Sequence, residues 1–124
     1  MKDFRRLKVW EKAHILTLEI FKATARFPRE ELYGLTSQIR RCSGSMGANI
    51  VEGCGKEGNR ELYRFLQIAS GSASELDYHL LLGRDLNYLA DPDYQRVSKQ
   101  LLEVRRVLTA LIKKVGTDRW TTDC

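Results

Sequence analysis

Apolar residues in this chain recur three and four positions apart through four long stretches, separated by only three short interruptions. That spacing lines one side of an α-helix and lacks the two-residue alternation of a strand. The first stretch covers residues 4–26, with Val9, Ala13, Leu16, Ile20, Ala23 and, just past its end, Phe27 as its stripe. Leu7, Trp10, Leu18 and Phe21 make a second stripe that widens the face expected to be buried. Ile15 falls among the charged residues opposite, without an obvious place in a monomer. Phe27-Pro28 ends the stretch, because proline disfavours helix in the residue before it.

The second helix is expected over residues 35–54, with Leu35, Ile39, Cys42, Met46 and Ile50 inward. A glycine-rich break at residues 53–58 follows, with Asn59 as the next N-cap. The third helix then runs to residue 89 on Leu62, Phe65, Leu66, Ala69, Ala73, Leu76, Leu80 and Leu86. Small residues fill the middle of both helices, at 42–48 and 69–74, so the two can approach closely. Asp91-Pro92 is a favourable helix start, and Val97, Leu101, Val104, Leu108, Leu111 and Val115 keep a heptad-like spacing to about Gly116. Short connections between amphipathic helices predict an all-α, antiparallel up-down four-helix bundle. It forms one domain over residues 1–116, and residues 117–124 read as a C-terminal tail.

Several function classes find no support. Residues 1–6 lead into no apolar run, so no signal peptide is expected, and no stretch is long and apolar enough to span a bilayer. Cys42, Cys54 and Cys124 form no CxxC pair. On a shared helix Cys42 and Cys54 stand about 18 Å apart, too far for a disulfide. They are expected to be reduced fillers, and the protein cytoplasmic.

Gly53-Cys54-Gly55-Lys56-Glu57-Gly58 spells GxGxxG, but a helix precedes it where a dinucleotide site needs a strand. A Walker loop fails because Glu57 follows Lys56, and the GxxG at Gly44–Gly47 lies inside a helix. A di-metal bundle needs two Glu-x-x-His motifs, and only Glu11-x-x-His14 has that spacing. Glu75 and His79 are four apart, and Glu52 and Glu103 are further carboxylates. His14 and His79 are read as satisfied histidines at the core margin, with no metal and no cofactor. No serine or cysteine sits in a recognisable nucleophile setting, so no enzyme is expected.

Two surface patterns carry more. Gln38, Arg41, Ser45, Asn49 and Glu52 flank the apolar stripe of the second helix, and Ser72 and Glu75 face them from the third. They read either as a structural polar network or as a polar ligand groove. The net charge is +5, and residues 1–29 alone carry that excess. Arg5, Arg6 and Lys8, with Arg105, Arg106, Lys113 and Lys114, make one basic group. Arg40, Arg41, Lys56, Arg60 and Arg64 mark the other end. Such residues suit phosphate contact, with Phe4, Trp10, Tyr63 and Tyr94 as stacking candidates; a solvated face that keeps the protein soluble is the plain alternative.

The chain resembles the four-helix bundle family that includes proteins encoded in intervening sequences of bacterial large-subunit ribosomal RNA genes. The matching elements are Leu7-x-Val9-Trp10-x-x-Ala13, Phe27-Pro28, Glu31-x-Tyr33-Gly34-Leu35, Gln38-x-Arg40-Arg41, Ser45, Asn49-Ile50-x-Glu52-Gly53 and Phe65-Leu66-x-Ile68-Ala69-x-Gly71-Ser72-x-x-Glu75-Leu76. Cys42 stands where alanine is usual, Gly47 where proline often follows, and Val51 where alanine is expected. The chain is also similar to the accessory variability determinant of diversity-generating retroelements. These resemblances imply a non-enzymatic homopentamer associated with RNA or DNA, or with a nucleic-acid-processing protein. A protein-binding scaffold without nucleic acid and a di-metal carboxylate enzyme are the alternatives.

Overall fold

The computed structural model describes residues 3–122, and the side chains of residues 3–117. Four helices account for nearly all of it: α1 (Lys8–Thr24), α2 (Leu35–Gly55), α3 (Gly58–Asp85) and α4 (Asp91–Thr122). No strand occurs among the described residues. No helix there is long and apolar enough to cross a membrane.

Cross-helix pairs fix the topology. Along α1, Trp10, Thr17 and Thr24 meet Gly47, the Ser43 carbonyl and Arg40 of α2, in descending order. Along α3, Leu62, Ser72 and Glu75 meet Gly53, Ser45 and Cys42 of α2. Tyr63 and Asp77 of α3 meet Gly116 and Arg105 of α4. Lys12 and Glu19 of α1 meet Glu103 and Arg96 of α4. Each helix therefore runs antiparallel to both neighbours, and the diagonal pairs stay apart.

The core is the set of inward stripes: Leu16, Ile20, Ile39, Met46, Ile50, Leu66, Leu76, Leu80, Leu101 and Leu108 are fully buried. Each large apolar side chain so buried contributes roughly 1.5–3 kcal/mol. The second stripe expected on α1 is only partly inside. Trp10 and Leu7 are half-buried, while Leu18 and Phe21 lie at 51% and 44% exposure. Phe21 carries the Arg40 guanidinium on its ring, 4.7 Å from the centroid.

Helix ends depart from the expected ones for local reasons. α1 begins at Lys8, after a short 3-10 turn, Phe4–Arg6, capped by Asp3. α2 continues to Gly55, so the α2–α3 turn is only Lys56-Glu57. Glu57, not Asn59, precedes the first turn of α3, and Gly58 makes the reversal with φ 80°, a conformation suited to glycine. α3 stops at Asp85 because Asn87 turns left-handed (φ 62°) and Tyr88 and Leu89 donate back to the Gly83 carbonyl. Leu86 is thereby exposed, and Leu89 takes the buried place. α4 does not end near Gly116 but runs to Thr122, taking in most of the residues read as a tail. Gly116 serves there as the gap for the Tyr63 ring, which an added Cβ would approach within 2.9 Å.

Glu31 ties the α1–α2 connection to the far turn. One carboxylate oxygen accepts from the Leu35 backbone N–H at the start of α2, and the other from the Tyr88 hydroxyl at 3.1 Å. The Phe27 ring packs on Tyr88 and Gly83 in the same place. This bracing needs Glu31 and Phe27 themselves.

Candidate functional site

Antiparallel packing decides which charges meet. The starts of α1 and α3 share one end of the bundle with the last turns of α2 and α4. Arg5, Arg6 and Lys8 therefore lie at the same end as Lys56, Arg60, Arg64, Lys113 and Lys114, rather than opposite them. All of these are exposed. Three have acidic neighbours: Arg5–Asp3 at 3.7 Å, Lys56–Glu52 at 4.0 Å and Arg64–Glu61 at 3.1 Å. Exposed pairs of this kind are worth little and exchange readily for phosphate. Arg64 also lies 4.4 Å from the Phe65 ring centroid, and Arg5 4.5 Å from that of Phe4.

The remaining basic candidates lie elsewhere. Arg40 sits at the opposite end, where its Nε donates to Thr24 Oγ1 at 2.9 Å and its Nη2 to the Phe21 carbonyl at 3.2 Å. Through these two bonds it closes the last turn of α1. Replacing Arg40 with alanine is expected to cost about 1–2 kcal/mol in urea unfolding. Arg41 donates to Gln38 Oε1 at 3.0 Å. Arg105 spans to α3, donating to Asp77 at 2.9 Å and Ser74 at 3.1 Å, and Arg106 pairs with Glu103.

The aromatics expected among the basic residues are occupied in part. Phe4 packs edge-on against Trp10, Trp10 stacks on the exposed His14 at 5.0 Å, and Tyr94 carries Arg84. Tyr63 accepts from Gln67 and lies under Gly116.

Part of the expected polar network forms on the α2–α3 seam. The Ser45 and Ser72 hydroxyls share a hydrogen bond of 2.9 Å, and Asn49 Nδ2 donates to the Ser45 carbonyl and hydroxyl at 2.8 and 3.0 Å. Ser72 and Ser45 are small enough for the helices to touch here. Gln38 bonds Arg41, and Glu52 pairs with Lys56 at the rim, so neither joins that centre.

Sequence reasoning missed the next turn of the same seam. Cys42, Glu75 and His79 converge there, with one ligand atom from each within 4.8 Å of the others. His79 Nε2 lies 3.4 Å from Glu75 Oε2, while its Nδ1 is buried without a hydrogen-bond partner. Burial, then the Glu75 charge and its hydrogen bond, push the Cys42 thiol up to about 11. The signal was legible in part: Glu75 and His79 are one helical turn apart, but nothing in the sequence pairs them with Cys42. His14, by contrast, is at the surface rather than the core margin. The residues weighed for a di-metal centre do not gather: Glu103 faces Lys12 and Arg106, and Glu52 faces Lys56. Cys42 and Cys54 are both buried and free, and Cys124 lies outside the described residues.

Large apolar side chains remain uncovered on the outer surface. Ile15 is 47% and Leu102 67% exposed, on α1 and α4 respectively, with Lys12, Gln100 and Glu103 around the shallow hollow beside them.

No curated protein matches the chain. Among solved structures it is similar to a protein of unknown function from the S23 ribosomal protein family of Bacteroides thetaiotaomicron. The two are 25% identical with a TM-score of 0.78, over 85% of this chain and 95% of the other. The pattern of the 23S rRNA-intervening sequence protein family matches residues 5–110, most of the chain. With its bundle, its α2–α3 seam and that match together, the chain belongs to the 23S rRNA-intervening sequence protein family.

Proposed function

We propose that the protein is a cytoplasmic, non-enzymatic accessory factor that self-associates, as a homopentamer, and binds RNA or an RNA–protein particle. The observation that carries this reading is the basic end, where Arg5, Arg6 and Lys8 join Lys56, Arg60 and Arg64 from another part of the chain. Five copies multiply a charge of +5 per chain, which raises both the encounter rate and the number of phosphates reached. The family's connection with ribosomal RNA genes is consistent with an RNA partner. Uncovered Ile15, Leu18 and Leu102 supply apolar area for subunit contact.

Single-stranded RNA titrated over roughly 50–200 mM salt tests the binding. Six phosphate contacts give a slope of about −4 in log affinity against log salt. A flat response transfers the reading to a protein-binding scaffold, for which the same exposed apolar residues are the argument. Light scattering after gel filtration tests the pentamer, with five chain masses expected.

A further inference from the structure

We propose that Cys42, Glu75 and His79 form a zinc site on the α2–α3 seam, separate from the basic end and independent of RNA binding. Two packed helices hold the three groups. Glu75 and His79 project from successive turns of α3, and Cys42 faces them from the core stripe of α2. Their ligand atoms already lie within 4.8 Å of one another. Ligands of a tetrahedral zinc stand about 3.3–3.8 Å apart, so the cluster closes on an ion by small side-chain adjustments. The Glu75–His79 separation, at 3.4 Å, is there already.

Donor chemistry selects the metal. Sulfur, imidazole nitrogen and carboxylate oxygen together suit zinc, while magnesium and calcium take oxygen alone. Binding releases the thiol proton to solvent, leaving thiolate and carboxylate to balance the two positive charges of the ion. A site with no net charge is tolerated at the buried Cys42, where an unbalanced thiolate is not. Two further features point to a ligand. His79 Nδ1 is a buried nitrogen that no protein group satisfies, so it stands available to an ion as well as Nε2 beside Glu75. The Glu75 side chain is 56% exposed, which opens an entry path and leaves a fourth position to water.

The full-length chain, stripped with chelator, is titrated with zinc against a chromophoric competitor, and separately with cobalt as a spectroscopic probe. One zinc per chain is expected, with a thiolate-to-cobalt charge-transfer band. Cys42→Ala and His79→Gln each lower zinc affinity by more than about tenfold. The band disappears in Cys42→Ala and survives in Cys124→Ser. Circular dichroism confirms that the variants fold, and the exposed Glu75→Gln supplies the same affinity test should Cys42→Ala unfold. Sub-stoichiometric zinc, a band that persists in Cys42→Ala, or unchanged affinity in His79→Gln overturns the site.

Discussion

Changing Arg5, Arg6 and Lys8 together to glutamate is expected to lower RNA affinity about a hundredfold near physiological salt and to flatten the salt slope by about 2. Three phosphate contacts vanish, and three carboxylates repel the backbone from the same end. The fold is expected to survive. Lys8 opens α1, where an acidic residue complements the helix dipole better than a lysine does. Arg5 gives up only an exposed pair with Asp3 and a ring contact with Phe4. Changing Lys22, Arg26 and Arg29 to glutamate shifts net charge by the same amount at the opposite end of the bundle. That control is expected to weaken binding only a few-fold. Equal losses in a fluorescence-anisotropy titration of the two variants would show that total charge matters and the basic end does not.

What makes the basic end a single feature is a long-range property that charge counts do not contain. Read along the chain, Arg5 and Arg64 are far apart, and the two groups look like opposite poles. They come to share one end of the bundle because an even number of antiparallel helices returns α3 to the end where α1 began. Arg40 illustrates the reverse. It has the composition of a phosphate ligand, yet it faces Thr24 and a helix-terminal carbonyl of α1. Helix periodicity reveals which side of a helix faces inward, so Val9, Leu16, Ile39, Leu66 and Leu108 were all legible. It does not reveal how wide the inward face is. Leu18 and Phe21 stay about half exposed, Phe21 meeting α2 only through the Arg40 guanidinium, and only the packed neighbours show it. Helix ends were the least legible, because Gly58 and Asn87 act through backbone angles and Gly116 through the Tyr63 ring. The Cys42–Glu75–His79 cluster was hidden for a related reason: register between α2 and α3 sets it, and register follows from small-residue contacts such as Ser45–Ser72.

Leu66→Ala is expected to remove about 3–4 kcal/mol of stability, a large share of the roughly 5–15 kcal/mol that holds a domain of this size. Leu66 is fully buried on α3, between Leu62 and Ala69 on the same inward stripe. The deletion loses the transfer energy of its apolar atoms and leaves a cavity that rigid helices cannot close. The thermal midpoint is expected to fall by about 10 °C, measured at fixed chain concentration because the proposed self-association would add stability that depends on it. Ile68→Ala, two residues on and 41% exposed, is expected to cost less than about 1 kcal/mol. A similar loss for both would mean that Ile68 is covered by a second copy of the chain, and its shift would then shrink as the chain is diluted. The proposed function would follow the core in either case: the basic end is drawn from the ends of all four helices, so a variant that loosens their packing scatters the cations without altering one of them.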